Sequence, residues 1–206
     1  ACMDKRVLEA MARWPNVPDV FGWLSLTETG KWRLHPKGDA TQADTPGESI
    51  TNAQIVGFIN RNYTRGDNGQ WYFQNGPQKV YVRLDAAPYV FHTNETGALA
   101  THTQQTIQDI QAWWLDDAGK LYAQTEHGPG LICGRDTLAV LEQLRTADDQ
   151  PLVDCPERIP QDTTTTLLLS NQAQSTGKST VPLRYCPAHR LEAQLGFVRL
   201  PALGYA

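Results

Sequence analysis

The stretch Gln172-Ala173-Gln174-Ser175-Thr176-Gly177-Lys178-Ser179-Thr180 follows an apolar run, Leu167-Leu168-Leu169, and ends in the Gly-Lys-Ser of a phosphate-cradling loop. That chemistry needs a glycine where Gln172 stands, so that backbone amides can fold around the phosphates, and a helix directly after Lys-Ser. Val181-Pro182-Leu183 follows instead, and proline opposes a helix there, so a hairpin loop is expected. Cys186-Pro187-Ala188-His189 has a spacing that could grip a metal, with Cys155 as a third ligand. Structural zinc usually takes four ligands in two tight pairs, and Cys133 or Asp154 would have to complete the set from afar. A metal-dependent or hydrolase-like enzyme using Cys155, Cys186 and His189 is therefore the alternative function. Histidines 35, 92, 102, 127 and 189 are scattered, and neither G-x-S-x-G nor H-E-x-x-H occurs. Asp116 and Asp117 are consecutive residues of a turn, and their side chains point apart. No cofactor is implied.

A different kind of chemistry, recognition, is offered by the segments Gln70-Trp71-Tyr72-Phe73-Gln74 and Lys79-Val80-Tyr81-Val82-Arg83-Leu84, joined by Asn75-Gly76-Pro77-Gln78. As a hairpin they put Trp71, Phe73, Val80, Val82 and Leu84 on one face and Tyr72, Gln74, Tyr81 and Arg83 on the other. The second face is aromatic and polar at once, which suits binding because Tyr and Arg combine apolar area with hydrogen-bonding tips. With the neighbouring Asn60–Arg61 helix end it forms the leading candidate site: Asn60, Arg61, Tyr72, Tyr81 and Arg83. The leading function is accordingly a non-enzymatic binding or regulatory protein that engages a protein or a small polar ligand. Cover of this face by a second layer is the competing expectation.

These residues must be held by regular elements. Helices are expected from Asp4 to about Trp14, with Val7, Met11 and Trp14 on one face, and from Thr51 onward, where Thr51 and Gln54 have capping-box spacing and Ile55, Phe58 and Ile59 supply the buried stripe. A third starts after Asp136 with Leu138, Leu141 and Leu144, and a last one over about 187–195 stops at Gly196. Strands are expected at 21–26, 31–35, 70–74, 79–84, 89–93, 112–115, 121–123, 131–133, 164–169 and 181–185, and residues 36–48 read as a mobile loop. Three segments, starting at Gly30, Gly69 and Gly119, align without gaps as turn glycine, Lys or Gln, then a large apolar residue. Diverged duplication and repeated use of good turn chemistry both explain them. The fold class is α+β: antiparallel β-hairpins with a few short helices packed on one side. Residues 1–145 form the hairpin core and 146–206 an extension packed on it, or the two make one continuous domain.

Composition sets the outer limits. The 206 residues are 40% hydrophobic and 19% charged, enough apolar character for a real core. The net charge is −4, and no cluster of Lys and Arg occurs, so neither nucleic acid nor an anionic membrane is expected as a partner. The first residues, Ala1 to Val7, lack the apolar stretch of a secretory signal. The four cysteines are widely and irregularly spaced, which suits free thiols and a cytoplasmic setting better than a disulfide framework. Asn60-Arg61-Asn62-Tyr63, followed by the run from Gly69 to Val82 and by Gly196-Phe197-Val198-Arg199, resembles the signature of an uncharacterised proteobacterial protein family. The resemblance spans roughly residues 20–200, implies a bacterial cytosolic protein, and brings no activity with it.

Overall fold

The computed structural model describes residues 3–42, 44–171 and 179–202. The fold is α+β, with two mixed sheets, and the chain divides into two compact units: Ala1–Pro88 with His102–Gln104 and Gly196–Ala206, and Tyr89–Thr101 with Gln105–Leu195.

The first unit runs α1 (Lys5–Arg13), β1 (Val20–Leu26), β2 (Trp32–Leu34), β3 (Glu48–Ser49), α2 (Ala53–Arg61), β4 (Tyr63–Arg65), β5 (Trp71–Asn75) and β6 (Gln78–Leu84). Its sheet has the order β3-β2-β1-β6-β5-β4. Trp71, Phe73, Val80, Val82 and Leu84 are all buried, as the period of the hairpin demands. Trp32, Tyr63 and Trp71 form the aromatic centre, with Tyr63 edge-on to Trp32 at 5.0 Å and tilted against Trp71 at 5.2 Å. Asn52, not Thr51, caps α2: its carboxamide oxygen accepts from the N–H groups of Gln54 and Ile55. Asp4 precedes α1 without capping it; its carboxylate pairs with Arg61 at 3.1 Å.

The second unit runs β7 (Tyr89–Thr93), β8 (Leu99–Thr101), β9 (Ile110–Leu115), β10 (Leu121–Thr125), β11 (Pro129–Ile132), α3 (Thr137–Gln143), β12 (Thr166–Ser170), β13 (Thr180–Tyr185) and α4 (Leu191–Leu195). The order is β12-β13-β9-β10-β11-β7-β8. In α3 the inward residue is Val140, whereas Leu138 is exposed, and Asp136 is occupied by the N–H and hydroxyl of Thr93. Residues 146–162 belong to this unit's structure: Thr146 bridges to Leu169 and Arg145 to Pro151.

Hairpins between sequence neighbours build most of both sheets, and three parallel pairings, β1 with β6, β11 with β7 and β13 with β9, join the hairpins into continuous sheets. Local turn chemistry cannot reveal such pairings, because they depend on contacts remote in sequence. The turns themselves follow one recipe. In 27–31, 94–98, 101–105, 116–120 and 146–150, the first residue's N–H donates to the fifth residue's carbonyl. The first residue's side-chain oxygen accepts the fifth residue's N–H in return. The fourth residue (Gly30, Gly97, Gln104, Gly119 or Asp149) takes a positive φ.

Candidate functional site

Alternation along β5 and β6 gives the central hairpin two different environments. On one face Tyr72 and Tyr81 are direct cross-strand partners, Phe21 stacks on Tyr81 at 4.8 Å, and the Lys79 ammonium lies 5.0 Å over the Tyr72 ring. Burial pushes both phenols above the usual tyrosine range, with the carboxylates of Asp19 and Asp67 adding to the effect. Arg83 on the same face is 4% exposed. Its Nη1 donates to the carbonyls of Ala40, Gln42 and Thr45 at 3.2, 2.9 and 2.8 Å, and its Nε to Asp85 at 3.0 Å. The backbone at Ala40, Gln42 and Thr45 is thus pinned against the sheet. Of the helix-end residues, Asn60 accepts the indole N–H of Trp32 at 2.7 Å and Arg61 holds Asp4. The five sequence candidates therefore sit in one unit with their polar groups engaged to different degrees: Arg83, Asn60 and Arg61 bind neighbours, and the two tyrosine rings are packed.

Beneath the same loop lies a polar trio that no sequence motif announced. Ser25 Oγ and His35 Nε2 share a hydrogen bond of 2.8 Å, and His35 Nδ1 stands 3.5 Å from Asp39. The order of contacts is that of a nucleophile, base and orienting carboxylate. Ser25 and His35 are both 0% exposed, however, so no substrate carbonyl can approach Oγ in this conformation. Burial, and secondarily the Arg83 charge, lowers the His35 pKa and keeps the ring neutral. The trio closes the 35–39 turn onto β1.

The opposite face of the hairpin is buried at Trp71, Val82 and Leu84 and borders a groove at its Phe73–Val80 end. Phe73 and Val80, the alternates of Tyr72 and Tyr81, join Leu24 and Val20 of β1, Leu34 of β2 and the Ile55–Phe58 edge of α2 around a groove of about 780 Å³. Trp23, Leu34 and Ile55 are 43, 43 and 51% exposed there. Phe58 packs edge-on to Phe73 at 5.5 Å and fixes the helix side of the groove. Its polar lining is confined to Gln54, Asn75 and Gln78, so no charged side chain faces it. The apolar periodicity of α2 was legible, but Ile55 proves to line an open surface rather than a filled core. Trp23 gave no signal, because β1 is irregular between Val20 and Leu24.

The family model DUF2944, described as "Protein of unknown function (DUF2946)", matches residues 3–202. The chain belongs to this family. The sequence resemblance to an uncharacterised family is thereby met. No curated protein matches the chain. Two solved structures are similar: a DUF1285 family protein from Silicibacter pomeroyi DSS-3, at 17% identity and a TM-score of 0.44, covering 63% of this chain and 74% of that one; and a DUF1285 family protein from Shewanella baltica OS155, at 14% identity and a TM-score of 0.41, covering 58% and 91%.

In this family member the Cys155–Cys186–His189 set is not assembled: among the described residues no three His, Cys, Asp or Glu side chains gather as metal ligands would. Each thiol is spent locally, Cys155 Sγ donating to the Pro151 carbonyl and Cys186 Sγ to that of Pro187. Burial pushes the Cys186 thiol up, partly offset by Arg190, whereas a metal needs the thiolate. The Gly-Lys-Ser segment lies mostly outside the described residues, and the chain after it is strand β13 rather than a helix. No helix among the described residues is long and apolar enough to cross a membrane.

Proposed function

We propose that this chain is a binding module whose groove between α2 and the β1–β6–β5 surface takes a small, uncharged, largely apolar molecule. The observation that carries this is the groove itself, about 780 Å³ with three half-exposed apolar side chains and no charged one. Small-molecule sites are concave, within roughly 300–1,000 Å³, apolar in the main, and oriented by a few polar groups. Gln54, Asn75 and Gln78 are placed to supply those groups. A charged ligand would lose hydration here without meeting a counter-charge, so the polar partner expected for the Tyr72–Tyr81–Arg83 face gives way to a neutral one. The buried, unpaired thiols of Cys133, Cys155 and Cys186 favour a cytoplasmic setting for this activity.

Titration with Nile red, a neutral apolar dye, tests the proposal. Saturable binding of one dye per chain is expected, weakened about tenfold or more by Ile55→Glu, which sets a charge in the groove. Because Ile55 is half exposed, the thermal midpoint should stay within about 1 °C. Absence of saturable binding, or binding unchanged by Ile55→Glu, overturns the proposal. Light scattering that shows a dimer dissolved by the same substitution overturns it too, since a second copy would then be the occupant.

A further inference from the structure

The second unit contains a cleft of about 480 Å³ unrelated to the groove above. Trp114 of β9 and Arg184 of β13 are register partners on adjacent parallel strands, and the guanidinium lies 5.4 Å over the indole. Arg190, on the turn before α4, Tyr185 and Thr163 line the same cleft.

Its two arginines carry no ion pair among the described residues. Arg61, Arg83, Arg135, Arg145 and Arg158 each pair with an aspartate, yet neither Arg184 nor Arg190 has an ion pair among the described residues. Trp114 is 7% exposed, and its indole N–H has no acceptor among the described residues. That N–H is itself enclosed, so what the cleft presents to a ligand is two guanidinium groups without a carboxylate partner, a setting that suits an acceptor-rich ligand. The nearby carboxylates serve the backbone: Asp117 accepts the Ala188 N–H at 2.8 Å, and Asp116 accepts those of Ala118 and Lys120 at 2.9 and 2.8 Å.

We propose that this cleft binds a small phosphomonoester, its phosphoryl group held between Arg184 and Arg190. Planar guanidinium forks match phosphate oxygens in pairs, and two cations without ion pairs suit a dianion better than a monocarboxylate. Thr163 and Tyr185 line the same cleft and carry hydroxyls that can serve the remaining oxygens, and the cleft has room for an organic body beyond the phosphate.

Calorimetric titration of the full chain at low ionic strength with phenyl phosphate, inorganic phosphate and benzoate tests this. Phenyl phosphate should bind most tightly, with benzoate about tenfold weaker or worse, and Arg190→Gln should cost about tenfold or more. Arg190 is exposed, so its variant keeps the fold; Arg184→Lys, which retains the charge but loses the fork, should weaken binding to a lesser degree. Ile55→Glu should leave the phenyl phosphate titration untouched, which separates failure here from failure of the groove. Affinity unchanged in Arg190→Gln overturns the proposal, as does benzoate binding equally well. So does a phosphoserine peptide that binds where phenyl phosphate does not.

Discussion

Replacing Arg83 by Met decides whether the aromatic-polar face of the central hairpin is packed or available. Methionine fills the space of the arginine stem and removes every donor. Hydrogen bonds to a charged group contribute about 1.5–3 kcal/mol each, but the five lost here do not simply add. The Gln42 and Thr45 carbonyls belong to the outer, partly exposed part of the loop and can turn to water. Asp85 is 30% exposed and stays hydrated, so its share is that of a weak surface pair. The Ala40 carbonyl has no such escape, because Ala40 is fully buried, and leaving it bare costs about 1–3 kcal/mol. Together these give a loss of about 3 kcal/mol. At about 2–4 °C per kcal/mol for a chain of this size, the thermal midpoint should drop by roughly 6–12 °C. Urea and thermal melts followed by circular dichroism measure both. Brief trypsin digestion should also cut faster after the exposed Lys37, because the loop behind it loses its anchor. A loss below about 1 kcal/mol with unchanged cleavage at Lys37 would refute the packed assignment and return Arg83 to the pool of binding residues.

Two further outcomes follow from buried contacts. The His35 pKa is lowered from its ordinary 6.5, so the unfolded chain binds the extra proton; the stability from neutral burial is complete above about pH 6.5 and is lost as the pH falls toward the folded-state value. Urea midpoints taken from about pH 8 to about pH 5 should therefore fall less steeply for His35→Gln than for the parent, and identical slopes would show that this ring is not the group responsible. Gly130→Ala places a Cβ 2.4 Å from the Phe91 ring and should cost about 1–3 kcal/mol in urea melts. Phe91→Leu in the same chain should recover part of that loss, and strict additivity of the two changes would count against the clash.

The strands of both sheets were largely visible because their apolar residues alternate and polar turns separate them. The signature aligned at Gly30 and Gly119 lies not in the residues after the glycine but in a five-residue turn, whose first Thr or Asp accepts the fifth N–H and whose fourth residue takes a positive φ. Gln104 and Asp149 hide two such turns, since neither is a glycine. That recipe recurs at 94–98 and 146–150, outside any aligned segment, so turn chemistry accounts for the likeness of the Gly30 and Gly119 segments, whereas at Gly69 the first turn residue is Gly66, which has no side-chain acceptor. The site was less legible. Ser25, His35 and Asp39 meet because the 35–39 turn folds back onto β1, and no spacing rule links them. Arg184 and Trp114 meet through a parallel pairing, the kind of contact that a hairpin-based scheme leaves out.

The groove has a geometric cause that also says how to tell a site from an unfinished surface. Six strands at about 4.8 Å spacing make a sheet about 24 Å wide. A helix of 9 residues at 1.5 Å each is about 14 Å long and about 10 Å across, so α2 cannot cover that face in any orientation. On the other face Arg83 holds the backbone at Ala40, Gln42 and Thr45, whereas the Phe73–Val80 end of the first face is left beside a single short helix. An uncovered apolar face has no reason to exclude charge from its edges, since lysine or glutamate there would improve solubility. This one is bordered by Gln54, Asn75 and Gln78 instead, polar enough to orient a ligand and too weakly hydrated to repel an apolar one. Replacing Gln78 by Lys should then leave the fold intact and weaken Nile red binding, whereas a surface that is merely unfinished would bind the dye no less well.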